Sequence, residues 1–507
     1  QATLIIRHPD DGKLYVNFDQ EILQLIREAK CLDRMGIDVP DAARIVLFQE
    51  DKFKNYHNEL HWALSEHDKV VHKVIPVTAM VLRPHFRDME YKLRPGMITL
   101  TWTSMNIDSY KQHIHSGLQK LEELVANIND IIENRIEKNL KLVSKTLLVD
   151  LPDAESFTVE EFVKMQEKHI AKQSTLLQGK NLEIEFAVRD LIKTISSYKL
   201  DGHVEEVAED EINKLKKHYN HFMYQALLHC AKNSMNALKK RIGSKPVISN
   251  GTTPDEVLPF FEVDIQLEPT FSNTEVVLHP SLDEIQECIN RSAQAILRCF
   301  KDVKDWSNEN DIRNRNFFDR ITKDIEIVRV ALLLTGCIQG IRNTVEEYLN
   351  SFIAYNWLWH DDQGKAYDLF MEDDPTLDDF DKKLKSFGDV DEQISETRDI
   401  QNIGALSLRT MSIKSSLRSE CNRWKIKFSD NLHAQAKIKL ETLTEFVRVT
   451  TGKVSRDVSD LDSLRFLMKL LVDVRDKESS MRMEIQPIMD MYRMLESYLP
   501  AGFMEKE

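Results

Sequence analysis

Leu118, Leu121, Val125, Ile128, Ile132, Ile136, Leu140 and Val143 step along the chain by three and four residues. At 3.6 residues per turn, that spacing keeps all eight side chains on one face of a helix. A strand would scatter them to both sides of a sheet, so a face held for about seven turns settles the local class. The turn-formers agree. Only 15 glycines and 14 prolines occur in 507 residues, well under the roughly 12% of average usage, and a sandwich, barrel or propeller needs more of both. Hydrophobic residues at 42% and charged residues at 30% supply cores with long solvated faces, which excludes a disordered or collagen-like chain. The fold expected is all-α: an elongated series of helical bundles with small β-hairpin insertions near the start and near residues 260–278.

The balance of 68 basic against 83 acidic residues gives a net charge of −15. Nucleic-acid binders neutralise phosphates with clustered Lys and Arg, so this sign argues against nucleic acid as a partner. No apolar run approaches the ~18 residues of a membrane span; Val330-Ala331-Leu332-Leu333-Leu334 is too short and has charges close by. Six cysteines (Cys31, Cys230, Cys288, Cys299, Cys337, Cys421) fall without a CxxC or Cys/His metal spacing. They read as reduced, buried thiols in a cytosolic compartment. The first residue is Gln1 and no signal peptide follows it, which suggests an internal piece of a longer polypeptide.

The start of the chain is β in pattern. Two apolar-rich runs, residues 2–7 and 13–18, flank His8-Pro9-Asp10-Asp11-Gly12, which is turn chemistry for a hairpin. Ile22, Leu25, Ile26 and Ala29 then take up the helical period, and Pro40 opens a second helix with Asp38 as its cap. Pro95-Gly96 predicts a turn before the short run Ile98-Thr99-Leu100-Thr101-Trp102, with Trp102 packed in the core beside the next helix. Leu151-Pro152-Asp153 closes the long helix of the first half, and Thr158 with Glu161 forms a capping box for another that runs toward Ile195, weakest at Gly179. Asp201-Gly202-His203 turns the chain into a helix ending at Ile242. Residues 243–259 are the clearest linker, and the period-two segments at residues 260–267 and 275–278 read as short strands. Helical pattern resumes at Pro280 and fills nearly everything to Leu499, with breaks near 306–310, Gly388 and 452–459. Length alone predicts about three domains. The punctuation divides the chain into 1–103, 104–243, 244–279, 280–388 and 389–507.

The search for chemistry ends without a catalytic, cofactor-binding or metal constellation. Gly452-Lys453 lacks the upstream glycine and the adjacent hydroxyl of a phosphate-binding loop, and reads as a helix C-terminus. Gly336-Cys337-Ile338-Gln339-Gly340 reads as small residues that let helices approach closely. His57 and His61 stand at i, i+4, yet the glutamate of H-E-x-x-H comes one place too late at Glu59, and a surface helix with scattered histidines (His67 and His72 among them) is the better reading. His113 and His115 point apart on a helix. Asp361, Asp362, Glu372, Asp373, Asp374, Asp378, Asp379 and Asp381 do not fit a calcium loop, because counting back from Gly364 puts Trp359 at the first ligand position. Acidic helix starts account for them, and the cluster could also meet a basic partner. Trp357 and Trp359, two apart beside these acids, are the aromatic candidates for a protein interface.

Several segments carry a resemblance. Leu14-Tyr15-Val16-Asn17-Phe18-Asp19 with Leu25-Ile26-Arg27-Glu28-Ala29-Lys30 resembles the tail region of dynein heavy chains. So does Leu93-Arg94-Pro95-Gly96 with Leu100-Thr101-Trp102-Thr103-Ser104 and Asn106-Ile107, and the β segment leading to Leu278-His279-Pro280-Ser281-Leu282. The C-terminal half is most similar to axonemal, outer-arm chains of the heavy chain 5 and 8 subgroup. The resemblance implies a tail segment of an ATP-driven microtubule motor for ciliary or flagellar beating, located in the cytoplasm and cytoskeleton at the axoneme. It implies ATP and magnesium in an AAA+ ring outside these residues, and none in this stretch. The partners it implies are intermediate and light chains, other heavy chains, and a docking complex or the doublet microtubule. The rival from the residues alone is a non-motor, spectrin-like scaffold or tethering protein, whose repeats would show a regular spacing near a hundred residues without strands at residues 263–267. An enzyme comes third.

Overall fold

A computed structural model describes residues 2–152, 156–200, 207–243, 248–249, 259–269, 274–306 and 316–498. The first half holds β1 (Ile5–Arg7), β2 (Leu14–Val16), α1 (Gln20–Arg34), α2 (Asp41–Phe48), α3 (Glu50–Lys73), α4 (Ala79–Ile98) and α5 (Ile107–Asp130). A π-helical stretch, Ile131–Glu137, carries α5 into α6 (Lys138–Lys145), and α7 (Val159–Ser197) and α8 (Glu209–Ile242) follow. Next come β3 (Ile248–Ser249), β4 (Phe261–Pro269), β5 (Thr274–His279), α9 (Leu282–Arg298), α10 (Phe318–Thr322), α11 (Ile325–Thr335) and α12 (Gln339–Asn350). The last stretch is α13 (Trp357–His360), α14 (Gln363–Glu372), α15 (Leu377–Glu396), β6 (Ile400–Ile403), β7 (Leu406–Arg409), α16 (Met411–Val454) and α17 (Leu461–Tyr498). Helix dominates, as the low glycine and proline content requires. The chain divides into two compact units.

The first unit comprises Gln1–Asp150, Gln166–Asn236 and Ala293–Ala331. Its hairpin pairs Ile5 with Val16 in antiparallel register, and Gly12 takes φ +66°, the backbone that the turn demands of a glycine. The strand edge is tied down: Leu4 N–H donates to the Leu100 carbonyl, and the Trp102 indole N–H donates to Asn17 O at 2.8 Å. Trp102 is half-buried, edge-on to Phe18 at 4.8 Å, so it closes the hairpin rather than the following helix. α5 packs against α3 and α4 with the predicted stripe, and Leu118, Leu121, Ile128, Ile132 and Ile136 are all buried. A polar network crosses the same unit. Asn181 donates to Lys304 O and accepts from the Trp306 indole, while Asp305 receives Asn220 and Arg320. Burial pushes the pKa of His67, His85 and His218 down, because desolvation penalises the charged ring.

The second unit comprises Leu151–Met165, Ala237–Ser292 and Leu332–Glu507. It contains a five-stranded sheet in the order β3-β6-β7-β4-β5. β4 runs antiparallel to β5 and parallel to β7, with Phe261 opposite Leu406. Along β4 the side chains of Phe261, Val263 and Ile265 are buried and alternate with Glu262 and Asp264, as a period of two predicts. Phe260 and Phe261 meet Phe162 edge-on at 5.3 Å each. The predicted capping box is present: Thr158 N–H donates to Glu161 at 3.1 Å, and Glu161 N–H returns to Thr158 Oγ1.

Five further expectations need correction. Pro95-Gly96 makes no turn; α4 continues to Ile98 through both Pro84 and Pro95. Gly96 serves a close approach instead, since a Cβ there would lie 2.2 Å from the Tyr110 hydroxyl, which donates to Leu93 O. Asp38 does not cap α2: its carboxylate accepts from Arg44 at 2.8 Å, and no side chain caps that helix. Gly336-Cys337-Ile338 lies in the turn between α11 and α12, and a Cβ built at Gly336 or Gly340 would meet no neighbouring element within 4 Å, so the two glycines serve no close helix approach. Gly388 breaks nothing, because α15 is anchored on either side by buried Leu384, Phe387 and Ile394. Finally, Cys31 is exposed, whereas Cys230, Cys288, Cys299 and Cys421 are buried. Residues 201–203, 244–247, 250–258, 270–273, 307–310, Asp153 and Leu499, on which the expected turn, linker, strand and break positions partly fall, lie outside the described residues.

Candidate functional site

The histidines of α3 do not converge on a common point. His57 stacks on His61 at 6.1 Å and meets Phe18 edge-on at 5.3 Å, while His72 Nδ1 bonds Asp68 O. No group of three or more His, Cys, Asp or Glu able to hold a metal occurs among the described residues. His115 lies 5.0 Å from Trp62 across a groove of about 740 Å³ between α3 and α5. The charges in that groove are already matched. Lys111 pairs with Glu59 at 2.6 Å and Asp108 at 3.1 Å, and it sits 4.4 Å over the Tyr56 ring. Burial first, and then the hydrogen bond to Asp108, push Tyr56 up to about 12.

Gly452 and Lys453 occupy the last turn of α16. A phosphate cradle needs the N–H groups and positive dipole end of a helix N-terminus. The end of α16 presents carbonyls and the opposite sign. Lys453 therefore suits a helix C-terminus, as its spacing indicated.

The acidic run divides by role. Asp362 accepts the Gly364 and Lys365 N–H groups at the start of α14, and Asp379 forms the reciprocal box with Thr376 at the start of α15. Asp381 accepts the Tyr498 hydroxyl at 2.9 Å. Asp361, Asp368, Glu372, Asp373, Asp374 and Asp378 face solvent and form the acidic surface of the second unit. The tryptophans beside them point inward. Trp357 is half-buried, stacked on Phe387 at 5.9 Å and edge-on to Trp424 at 5.5 Å. Trp359 donates its indole N–H to Thr274 O at 2.8 Å. The two aromatics belong to packing, and the carboxylates alone remain for a partner.

One surface escaped the sequence reading. α16 and α17 pair along their length, but no residue between 437 and 487 is buried. Leu443, Phe446 and Thr450 on α16, with Leu467, Leu470, Val474 and Met481 on α17, are half-buried at three-, four- and seven-residue spacing and form the seam. Outside the seam, large apolar side chains remain exposed, including Val447, Phe466, Met468 and Leu471. The signal was available as heptad spacing on both helices, but spacing does not say whether a face is covered.

The sequence comparisons agree with the resemblance. Residues 1–110 match the family described as dynein heavy chain, N-terminal region 1. The chain is 40% identical over 98% of its length to the dynein gamma chain, flagellar outer arm, of Chlamydomonas reinhardtii, covering 11% of that protein. It is 27% identical to human dynein axonemal heavy chain 8 and 24% identical to mouse dynein axonemal heavy chain 5, each over 98% of this chain and 13% of the relative. Among the described residues, no helix is long and apolar enough to cross a membrane.

Proposed function

This chain belongs to the dynein heavy chains, in the N-terminal tail region of the axonemal members, and we propose that it works there as a docking scaffold. In this reading it holds intermediate and light chains, neighbouring heavy chains and the doublet microtubule or its docking complex. ATP hydrolysis then belongs to a ring elsewhere in the parent motor, at the axoneme of a cilium or flagellum. The five sequence segments, 1–103, 104–243, 244–279, 280–388 and 389–507, are proposed as the pieces along which such contacts distribute. The observation that carries the proposal is the 40% identity over 98% of the chain to a flagellar outer-arm heavy chain. The solvent-facing acids around α14 and the start of α15 supply a surface for a basic partner.

The test is binding of purified axonemal intermediate chain to the heavy chain, with Asp361, Glu372, Asp373 and Asp378 changed to Asn in a variant. These side chains hold no packing position, so the variant keeps its fold. The expected result is binding that weakens about tenfold in the variant and falls as salt rises, the behaviour of a charged rim. Unchanged affinity removes the acidic surface from the interface. No binding by the folded wild type overturns the scaffold reading for this segment.

A further inference from the structure

We infer that the groove between α7 and the π-helical stretch leading into α6, in the first unit, is a docking site for a short acidic segment of a partner protein that carries a large apolar side chain. It adds a second partner chemistry to the scaffold reading and does not depend on the acidic surface of the second unit. The sequence explains the unusual winding. Ile128, Ile132, Ile136 and Leu140 follow one another at intervals of four. Each such step overshoots a 3.6-residue turn by about 40°, so an unbroken α-helix would carry the stripe off the core. The wider π turn over Ile131–Glu137 takes up that drift, and Ile132 and Ile136 stay buried. On the outer side, the π stretch and α6 stand opposite α7 across a cavity of about 520 Å³. Asn134, Arg135, Lys138 and Leu142 line one wall, and Lys180 and Phe186 line the other. The volume is within the roughly 300–1,000 Å³ of ligand pockets, and π turns recur at functional sites.

The two walls are tied to each other. Arg135 pairs with Asp190 at 2.8 Å, and the Asn139 amide donates to Glu183 at 3.1 Å. Charge then selects the sign of the occupant. Arg135, Lys138 and Lys180 share the lining with one carboxylate, Glu183, in a chain whose net charge is −15. Glu183 is taken by Lys180 at 2.7 Å, and Lys138 has no ion-pair partner among the described residues. Lys141 and Lys145 extend the basic edge along α6, with Glu137 answering Lys141 at 3.4 Å. Charges farther off are screened beyond about 8 Å at physiological salt, so the local excess governs. The apolar wall selects the kind of acid. Phe186 is 54% and Leu142 44% exposed, and Arg189 stands 5.8 Å over the Phe186 ring. A free phosphate would leave both apolar side chains in water. A peptide that buries an aromatic ring against them, and sets its carboxylates on Lys138 and Lys180, uses the whole groove.

The experiment titrates the 507-residue chain against a fluorescein-labelled peptide, glutamates on both sides of one central phenylalanine, and reads anisotropy. Comparison peptides carry Ser for the Phe, or Lys for every Glu. The expected result is saturable binding that weakens as salt rises, is about tenfold weaker without the ring, and is absent for the Lys peptide. Lys138→Gln with Lys180→Gln should weaken it about fivefold, and Phe186→Ser about tenfold, with Tm held in both. With a photoreactive benzophenone in place of the ring, the peptide should cross-link within residues 134–142 or 180–186. Cross-links that map elsewhere, or equal affinity of wild type and both variants, overturn the inference. So does tighter binding of a single-stranded oligonucleotide of equal charge, or no peptide binding at millimolar concentration. The acidic surface of the second unit is read by its own assay with intermediate chain, so the two failures are distinct.

Discussion

α16 and α17 are each continuous, yet their two ends have opposite fates. In the near half of α16, Ile413, Leu417, Cys421, Trp424, Phe428, Leu432 and Ala436 step by threes and fours and are all buried. In the far half, apolar residues recur at similar spacing and none is buried. Propensity and periodicity do not separate the halves. A neighbour does: α15 packs on the near half through Phe380, Leu384, Phe387 and Ile394, and no described element plays that part farther out. The lesson is that an amphipathic stripe predicts that a helix will have a partner, and leaves open which one. In a scaffold, that distinction separates core from interface.

The strongest way to break the comparison is at Trp424. Its indole N–H donates to Leu358 O at 2.8 Å, and its ring lies against Trp357, Phe387 and Phe428. Trp424→Ala leaves a cavity and an unpaired carbonyl, and should cost roughly 3–5 kcal/mol. Thermal unfolding followed by near-ultraviolet dichroism checks it. An unchanged Tm would mean that the near half is no more committed than the far half.

The next effect is electrostatic. Asp391 of α15 accepts Arg418 at 2.8 Å and Lys425 at 3.3 Å from α16. Burial alone would raise its pKa, but the bond from Arg418 and the charge of Lys425 together hold it below the usual aspartate range. A depressed folded pKa means that the unfolded chain takes up the proton first as the pH falls. The stability Asp391 supplies is therefore in place above the unfolded carboxylate range, and is lost as pH drops from there through its folded value. Asp391→Asn should cost roughly 1.5–3 kcal/mol at neutral pH and flatten the acid limb of the stability curve. The pair of Arg448 with Glu445 in the far half is solvent-exposed, so Glu445→Gln should leave that limb alone.

The same contrast explains how much was legible in the sequence. Long elements were legible, because a stripe such as Leu118 to Val143 repeats the helical period many times over. Local chemistry was legible where partners sit three residues apart, as in Thr158 with Glu161. The β6–β7 hairpin was missed, since strands of four residues around Gly404, at φ +58°, are too short to establish a period between two long helices. Pro95-Gly96 misled because a dipeptide cannot reveal that the Tyr110 hydroxyl, remote in sequence, occupies the space a Cβ would need. Trp357 and Trp359 misled for a related reason: their acidic neighbours in sequence are solvated, while their neighbours in space are Phe387, Trp424 and the Thr274 carbonyl.

The smallest effect is expected at Phe466, and its smallness is informative. The side chain is 53% exposed on the far half, outside the seam formed by Leu467 and Leu470. Replacing it with Ser removes an aromatic ring from water rather than from a core, and the two residues have similar helix propensity. In this 507-residue chain, Phe466→Ser should shift stability by no more than about 0.5 kcal/mol, the range of ordinary surface substitutions. It should also reduce concentration-dependent association, because contiguous exposed apolar surface is what drives it. Sedimentation velocity at two concentrations, beside a denaturant titration, reads both quantities. A loss comparable to Trp424→Ala would show that the far half holds a packed core of its own, and the division of the hairpin into a committed half and a waiting half would fail.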